Sequence, residues 1–349
     1  MQFAHAWPEQ RVRFATGAAA EATAEEVRRL GATRVMAVAS HPARAQPVLA
    51  GVPVVVCHTE VAMHVPVATA DRARTVAAEH HADALVCVGG GSATGLAKAV
   101  ALSTGLPIVA VPTTYAGSEA TAVWGMTDHD GKTTGTDPDV LPRAVVYDAS
   151  LTLGLPVALS VASGLNAVAH CVDAMWGPTV DPIDQTLALE GIRTLRTGLP
   201  RVVEEPTEVG GREQALLGAY LAAVAFASAG SGLHHKICHV LGGLFGLPHA
   251  QTHAVVLPHV LALNAPAVPE LDRRMAHAFA ADSALAGLLA LDDELGAPRS
   301  LRDLGLAEDD LPRAVGPIVA AASSDNPVPV NAERVAALLH AAWEGKEPS

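Results

Sequence analysis

The chain has 349 residues, of which half are hydrophobic and only 17% charged, so it can bury a large core and is not a disordered tract. Its length is more than one core usually fills and predicts two domains. A net charge of −13 with only 3% aromatic residues argues against a phosphate-tracking surface or a base-stacking platform, so no nucleic acid partner is expected.

Taken in chain order, Ala19 to Leu30 has helical spacing and Thr33 to Ala39 reads as a buried strand. Val52 to Cys57 is a second strand, Asp71 to His80 a helix, and Ala84 to Val88 a third strand. Pro107 to Val111 and Ala144 to Tyr147 are further strands. Strands alternating with helices imply βαβ units around a parallel, Rossmann-like sheet. After about Leu151 the texture changes to long Ala- and Leu-rich stretches with helical spacing: Asp184 to Leu199, Glu213 to Phe226, Arg273 to Leu291 and Ala332 to Trp343. The expected organisation is an α/β dinucleotide-binding domain over residues 1–152 and an all-helical catalytic domain over 153–349.

Two loops of the first domain carry chemistry. Val88-Gly-Gly-Gly-Ser-Ala-Thr-Gly95 follows a strand and opens a helix that runs through Lys98. Glycines let backbone N–H groups approach an anion, and the helix N-terminus adds positive potential, which together suit a dinucleotide pyrophosphate. The spacing is not GxGxxG, so the usual dinucleotide fingerprint is absent. The next strand ends in Val111-Pro-Thr-Thr-Tyr-Ala-Gly-Ser-Glu119. Both loops fall at the carboxyl edge of a parallel sheet, where such folds bind ligands. Lys98 is expected at the surface, and Tyr115 either donates to substrate or packs.

In the second domain, Gly232 to His253 sets His235, His239 and His249 among glycines and apolar residues. His235 and His239 are one helical turn apart, as are Asn166 and His170 upstream, so each pair can leave one helix face. Such a cluster suits a metal or proton transfer; the alternative is a set of hydrogen-bonded core histidines. Lys236 either meets a carboxylate or is solvated. The cysteines, Cys57, Cys87, Cys171 and Cys238, form no CxxC pair and suggest neither a disulfide framework nor a thiolate zinc site. The first residues, MQFAHAWPEQRVRF, lack a signal-peptide pattern and no uncharged apolar run reaches spanning length, so the expected setting is cytoplasmic with no membrane partner.

These motifs resemble the iron-containing (group III) alcohol dehydrogenase family, and within it the maleylacetate reductases. The likeness runs through Gly89 to Lys98, Pro112 to Glu119, Trp124-Gly-Met-Thr127, Ser163 to Cys171, His234 to Gly243, Leu247-Pro-His249, Thr252-His253 and Val256-Leu-Pro-His259. It implies NADH or NADPH in an interdomain cleft, with Gly89, Gly90, Gly91 and Ser92 around the pyrophosphate and Thr113, Thr114 and Ser118 nearer ribose and nicotinamide. It also implies a homodimer. Metal-dependent relatives hold their ion with an Asp and three His. The matching positions are Asn166, His170, His235 and His249, with His239 as a further pocket histidine.

Asn166 is the departure, because a neutral amide is a poor replacement for an anionic ligand. The implied enzyme is metal-independent; if a metal is bound, His170, His235 and His249 hold it. The implied reaction is hydride addition to the conjugated double bond of maleylacetate, a dicarboxylate, giving 3-oxoadipate in hydroxyquinol or chlorocatechol catabolism. His239 is the expected proton donor, and His170, His235 and His249 the anion or enolate binders, with His253 beside them. Partly protonated rings are expected to attract the substrate dianion. Three other readings stay open: a metal-dependent alcohol or polyol dehydrogenase, a lyase of the dehydroquinate synthase type, and a reductase of another unsaturated oxo-acid. The last is kept open by Val328, which stands where the subfamily pattern has Arg.

Overall fold

The central strands are apolar at every position because both of their faces are covered, as parallel sheets require. In the computed structural model, which describes residues 2–128 and 131–348, the chain divides into two compact units, residues 6–155 and residues 2–5 with 156–348.

Among the described residues the first unit holds eight strands: β1 (Arg11–Phe14), β2 (Val35–Val38), β3 (Val54–His58), β4 (Ala84–Gly89), β5 (Ile108–Pro112), β6 (Val123–Asp128), β7 (Gly131–Thr136) and β8 (Ala144–Tyr147). Its helices are α1 (Ala19–Arg29), α2 (Pro42–Ala45), α3 (Val67–Glu79) and α4 (Gly91–Thr104). Six strands form a parallel sheet in the order β1-β8-β5-β4-β2-β3, and β6 and β7 form a separate antiparallel pair. Strand side chains alternate between faces. Met36, Leu85, Cys87, Ile108 and Ala110 join the core with residues of α3 and α4, whereas Val35, Val86, Val88, Val109 and Val111 join the one that includes α1. Gly89 pairs with Pro112 at the ends of β4 and β5, so the loops after these strands begin side by side at the sheet's carboxyl edge.

The second unit is helical: α5 (Val157–Ala174), α6 (Pro182–Glu204), α7 (Val209–Ala229), α8 (Leu233–Phe245), α9 (His249–Asn264), α10 (Pro269–Phe279), α11 (Ala284–Leu295), α12 (Leu311–Ala321) and α13 (Ala332–Glu344). Of the described helices, α5 alone is long and apolar enough to cross a membrane, but most of it is buried within the protein. Helix α6 opens with a capping box, in which Asp181 accepts from Ile183 N and Asp184 N while Asp184 accepts from Asp181 N. Residues 2–5 are tied to this helix start by His5 Nδ1, 2.6 Å from Asp181 Oδ2.

The expected continuous helical stretch from Arg273 to Leu291 is broken. Ala280 adopts left-handed backbone (φ 56°) at the end of α10, and Ser283 Oγ caps α11 by accepting from Ala286 N. The cap outweighs the alanine propensity on either side of it. The sequence also gave no sign of β1, the β6–β7 pair, α2 or α12.

Candidate active site

Helix α5 presents Asn166, His170 and Asp173 at i, i+4 and i+7, on one face. Between α7 and α8 the chain turns by 97° through Gly230 to Gly232. A Cβ on Gly232 would lie 2.6 Å from Asp173 Oδ1, so only glycine lets this turn pack against the carboxylate. The first turn of α8 then closes on Asp173. Its Oδ2 accepts from the backbone N of Gly232 (3.1 Å) and His235 (3.2 Å), and from His235 Nδ1 (2.7 Å).

Seven aromatic rings follow from that anchor. His170 stacks on Phe226 of α7 (4.7 Å between centroids) and on His235 (4.9 Å). His235 lies 4.7 Å from His253 and 6.1 Å from His239. His249 lies 4.4 Å from His253 and 6.0 Å from His239. His234 Nε2 and His253 Nδ1 share a hydrogen bond of 2.8 Å. All six expected residues, Asn166, His170, His235, His239, His249 and His253, therefore belong to one region of the helical unit. His234 and Asp173 belong to it as well, although neither stood out in the sequence. Asp173 was detectable from its place seven residues after Asn166 on the same face.

Burial grades the cluster. His234, His235 and His253 are buried, His170 is partly exposed, and His239 and His249 reach solvent. Burial disfavours the charged imidazolium. It lowers His170 to about 4 and His234 to about 3, and it holds His235 and His253 well below the usual histidine value, with neighbouring rings adding to the effect. Burial pushes the Asp173 carboxyl up to about 7 against the N–H groups that hold it down. Burial thus favours the neutral imidazole at these four rings, against the expectation of partly protonated ones.

Several inner atoms have no hydrogen-bond partner: Asn166 Oδ1, His170 Nδ1, His234 Nδ1, His235 Nε2 and His253 Nε2. Buried polar atoms left unpaired are costly and mark a place for a ligand. His234, His235 and His253 each offer one ligand atom within 4.8 Å of the others. Neutral nitrogen sets can hold Zn²⁺. The set does not, however, fit the Asp-and-three-His arrangement of metal-dependent relatives, because Asn166 brings no charge and two of these rings already bond each other.

In the first unit, Gly90 precedes α4 with no side-chain cap on its N–H groups. A Cβ on Gly90 would lie 2.9 Å from Thr114 Cγ2, and one on Gly91 would lie 3.4 Å from Ala116 Cβ, so the glycine turn rests directly on the second loop. Gly89, Gly90, Gly91, Ser92, Thr113, Thr114 and Ser118 are all partly exposed. An uncapped helix start lined by glycine fits a pyrophosphate. Tyr115 is fully buried. Lys98, expected at the surface, is fully buried as well, because its ammonium finds backbone oxygens there. The loop containing Val328 is held at the opposite end of α9 from His249 and His253. There Asn326 bonds reciprocally with Asn264 (2.8 and 3.1 Å) and donates to the Val328 carbonyl.

Two family models cover the chain: iron-containing alcohol dehydrogenase over residues 9–149, and the C-terminal part of the Fe-containing alcohol dehydrogenase family over 160–343. The maleylacetate reductase of Pseudomonas sp. (strain P51) is 43% identical over 352 residues, covering 100% of this chain and 99% of that protein. Among solved structures, an iron-containing alcohol dehydrogenase from Corynebacterium glutamicum superposes with a TM-score of 0.98 at 53% identity, over 100% of this chain and 98% of its own. The maleylacetate reductase of Rhizobium sp. strain MTP-10005 gives 0.93 at 41% identity, over 99% of both chains.

Proposed function

The chain belongs to the iron-containing alcohol dehydrogenase family, and we propose that it reduces the conjugated double bond of maleylacetate to 3-oxoadipate with NADH or NADPH, without a metal, as a cytoplasmic homodimer. It is an oxidoreductase that uses a nicotinamide cofactor. The observation that carries the substrate reading is its full-length likeness to maleylacetate reductases, at 43% and 41% identity in the two compared. Metal independence rests on Asn166, which leaves the cluster without the anionic ligand that iron-dependent relatives use.

Gly89, Gly90, Gly91, Ser92, Thr113, Thr114 and Ser118 would hold a dihydronicotinamide cofactor, which would supply a hydride; the substrate accepts it at the alkene carbon β to the ketone. The electron pair of that bond moves to the ketone oxygen as an enolate. Neutral inner rings whose N–H is not already used within the cluster stabilise it by hydrogen bonding, since an N–H aimed at developing negative charge in a dry site is worth more than in water. Protonation of the α carbon completes the reduction. His239 is the assigned donor, because it is exposed and 6.1 Å from His235, so solvent can return its proton. His170, His235, His249 and His253 line the oxygen and carboxylate side, and Asn166 can turn its amide N–H toward either.

The test is NADH oxidation by EDTA-treated protein with freshly generated maleylacetate, repeated with added Zn²⁺ or Fe²⁺. Turnover unaffected by chelation is expected. Turnover that appears only after metal is restored refutes metal independence, and none in either condition with NADH or with NADPH refutes the substrate assignment.

A further inference from the structure

Lys98 lies on α4, seven residues beyond Gly91, and is 0% exposed. A buried lysine is costly unless its donors are met. Its Nζ donates to the carbonyls of Ser118 (2.6 Å), Thr121 (2.8 Å) and Val123 (2.8 Å), and lies 3.1 Å from Thr121 Oγ1. Three N–H donors thus face four oxygens of one short turn, the arrangement a bound cation would impose. The neighbouring Glu119 is also buried and accepts from Tyr147 Oη at 2.7 Å. That turn continues directly from the Thr113–Ser118 loop, whose Thr114 already touches Gly90 at the start of the same helix.

We propose that Lys98 is the positioning residue of the cofactor site, its ammonium gathering the Ser118–Val123 turn and so holding the second loop against the glycine turn. The inference rests on reading these two loops as the nicotinamide cofactor site. Lys98 itself touches neither cofactor nor substrate in this role. Its loss therefore changes cofactor affinity and leaves the chemistry at the histidines alone.

The experiment measures NADH affinity by fluorescence titration of the full chain in wild type, Lys98→Met and Thr121→Val, with steady-state KM for maleylacetate at saturating NADH and a melting curve for each. Lys98→Met should weaken NADH binding about tenfold or more, and Thr121→Val, which removes one acceptor, about two- to threefold. The KM for maleylacetate should stay within about twofold in both. Unchanged NADH affinity in folded Lys98→Met overturns the inference while leaving the cofactor reading intact. If Lys98→Met does not fold, unchanged affinity in Thr121→Val overturns it instead. Equal losses in NADH affinity, maleylacetate KM and melting temperature also overturn it, since they describe a lysine that merely supports the fold. Wild-type protein that binds neither NADH nor NADPH removes the cofactor reading, and the inference with it; if only NADPH binds, the same titrations are read with NADPH.

Discussion

Asp173 Oδ2 lies 2.7 Å from His235 Nδ1, with both groups buried. The protonation of that pair decides what the far nitrogen can do. With Asp173 ionised and the ring proton on Nδ1, His235 Nε2 offers a lone pair; when the pair takes up one further proton, Asp173 is neutral and the ring can carry its hydrogen on Nε2 and act as a donor. Burial lifts Asp173 to about 7 and lowers His235, which brings the two states within reach of each other at neutral pH.

Replacing Asp173 with Asn keeps the shape and removes the shared proton. We expect kcat to fall by about 10- to 100-fold, with NADH affinity unchanged, because the carboxylate fixes a ring rather than the cofactor. Steady-state kinetics alongside NADH titration would check this. An Asp173→Asn enzyme with wild-type kcat would show that the pair is structural only.

Asn166→Asp restores the carboxylate that metal-dependent relatives use. The variant should bind Zn²⁺ or Co²⁺ more tightly than wild type by about tenfold or more, since an anionic oxygen is the better ligand, and it should lose metal-free reductase activity. Isothermal titration with Zn²⁺ and the visible spectrum with Co²⁺ report the first effect without relying on turnover. Equal metal affinity in the two proteins would mean that Asn166 is not a ligand position.

Gly90→Ala places a methyl group 2.9 Å from Thr114 Cγ2. The loops must part to admit it, so KM for NADH should rise about tenfold while kcat changes little. Adding Thr114→Ser removes the clashing methyl and should recover much of the loss. A double-mutant cycle with no coupling would contradict the proposed contact.

Asp292 supplies a pH prediction away from the histidines. It is 6% exposed, and burial raises its carboxyl from 3.8 to about 8, opposed by Arg299. The folded state therefore holds a proton that the unfolded chain releases at lower pH. Below the unfolded value there is no penalty; it grows as pH rises through the interval from about 4 to 8 and is complete above that. Asp292→Asn should accordingly melt several degrees higher than wild type at pH 8 and at nearly the same temperature at pH 4. Equal melting temperatures at pH 8 would show that the carboxyl is not destabilising there.

The parts of the fold and site that could be read from sequence were local. The apolar strand runs, the glycine turn and the i, i+4 pairs Asn166–His170 and His235–His239 each declare themselves within a few residues. Lys98 did not, since its partners are twenty to twenty-five residues downstream and a lysine is ordinarily solvated. His234 was hidden by its neighbour: consecutive helix positions point apart, yet the first turn of α8 offers one ring to His170 and the other to His253. The neutrality of the inner rings is a property of burial and could not be read from composition.

The bond between His5 and Asp181 joins positions 176 residues apart. During synthesis the first of these leaves the ribosome long before the second exists, and the entire parallel-sheet unit is made in between. The helical unit thus cannot complete itself until its earliest segment is recaptured. Closing a loop of that length costs only a few kcal/mol more than closing a short one, because the entropy grows with the logarithm of length. The sheet unit, residues 6–155, can therefore fold before residues 2–5 join the helical unit.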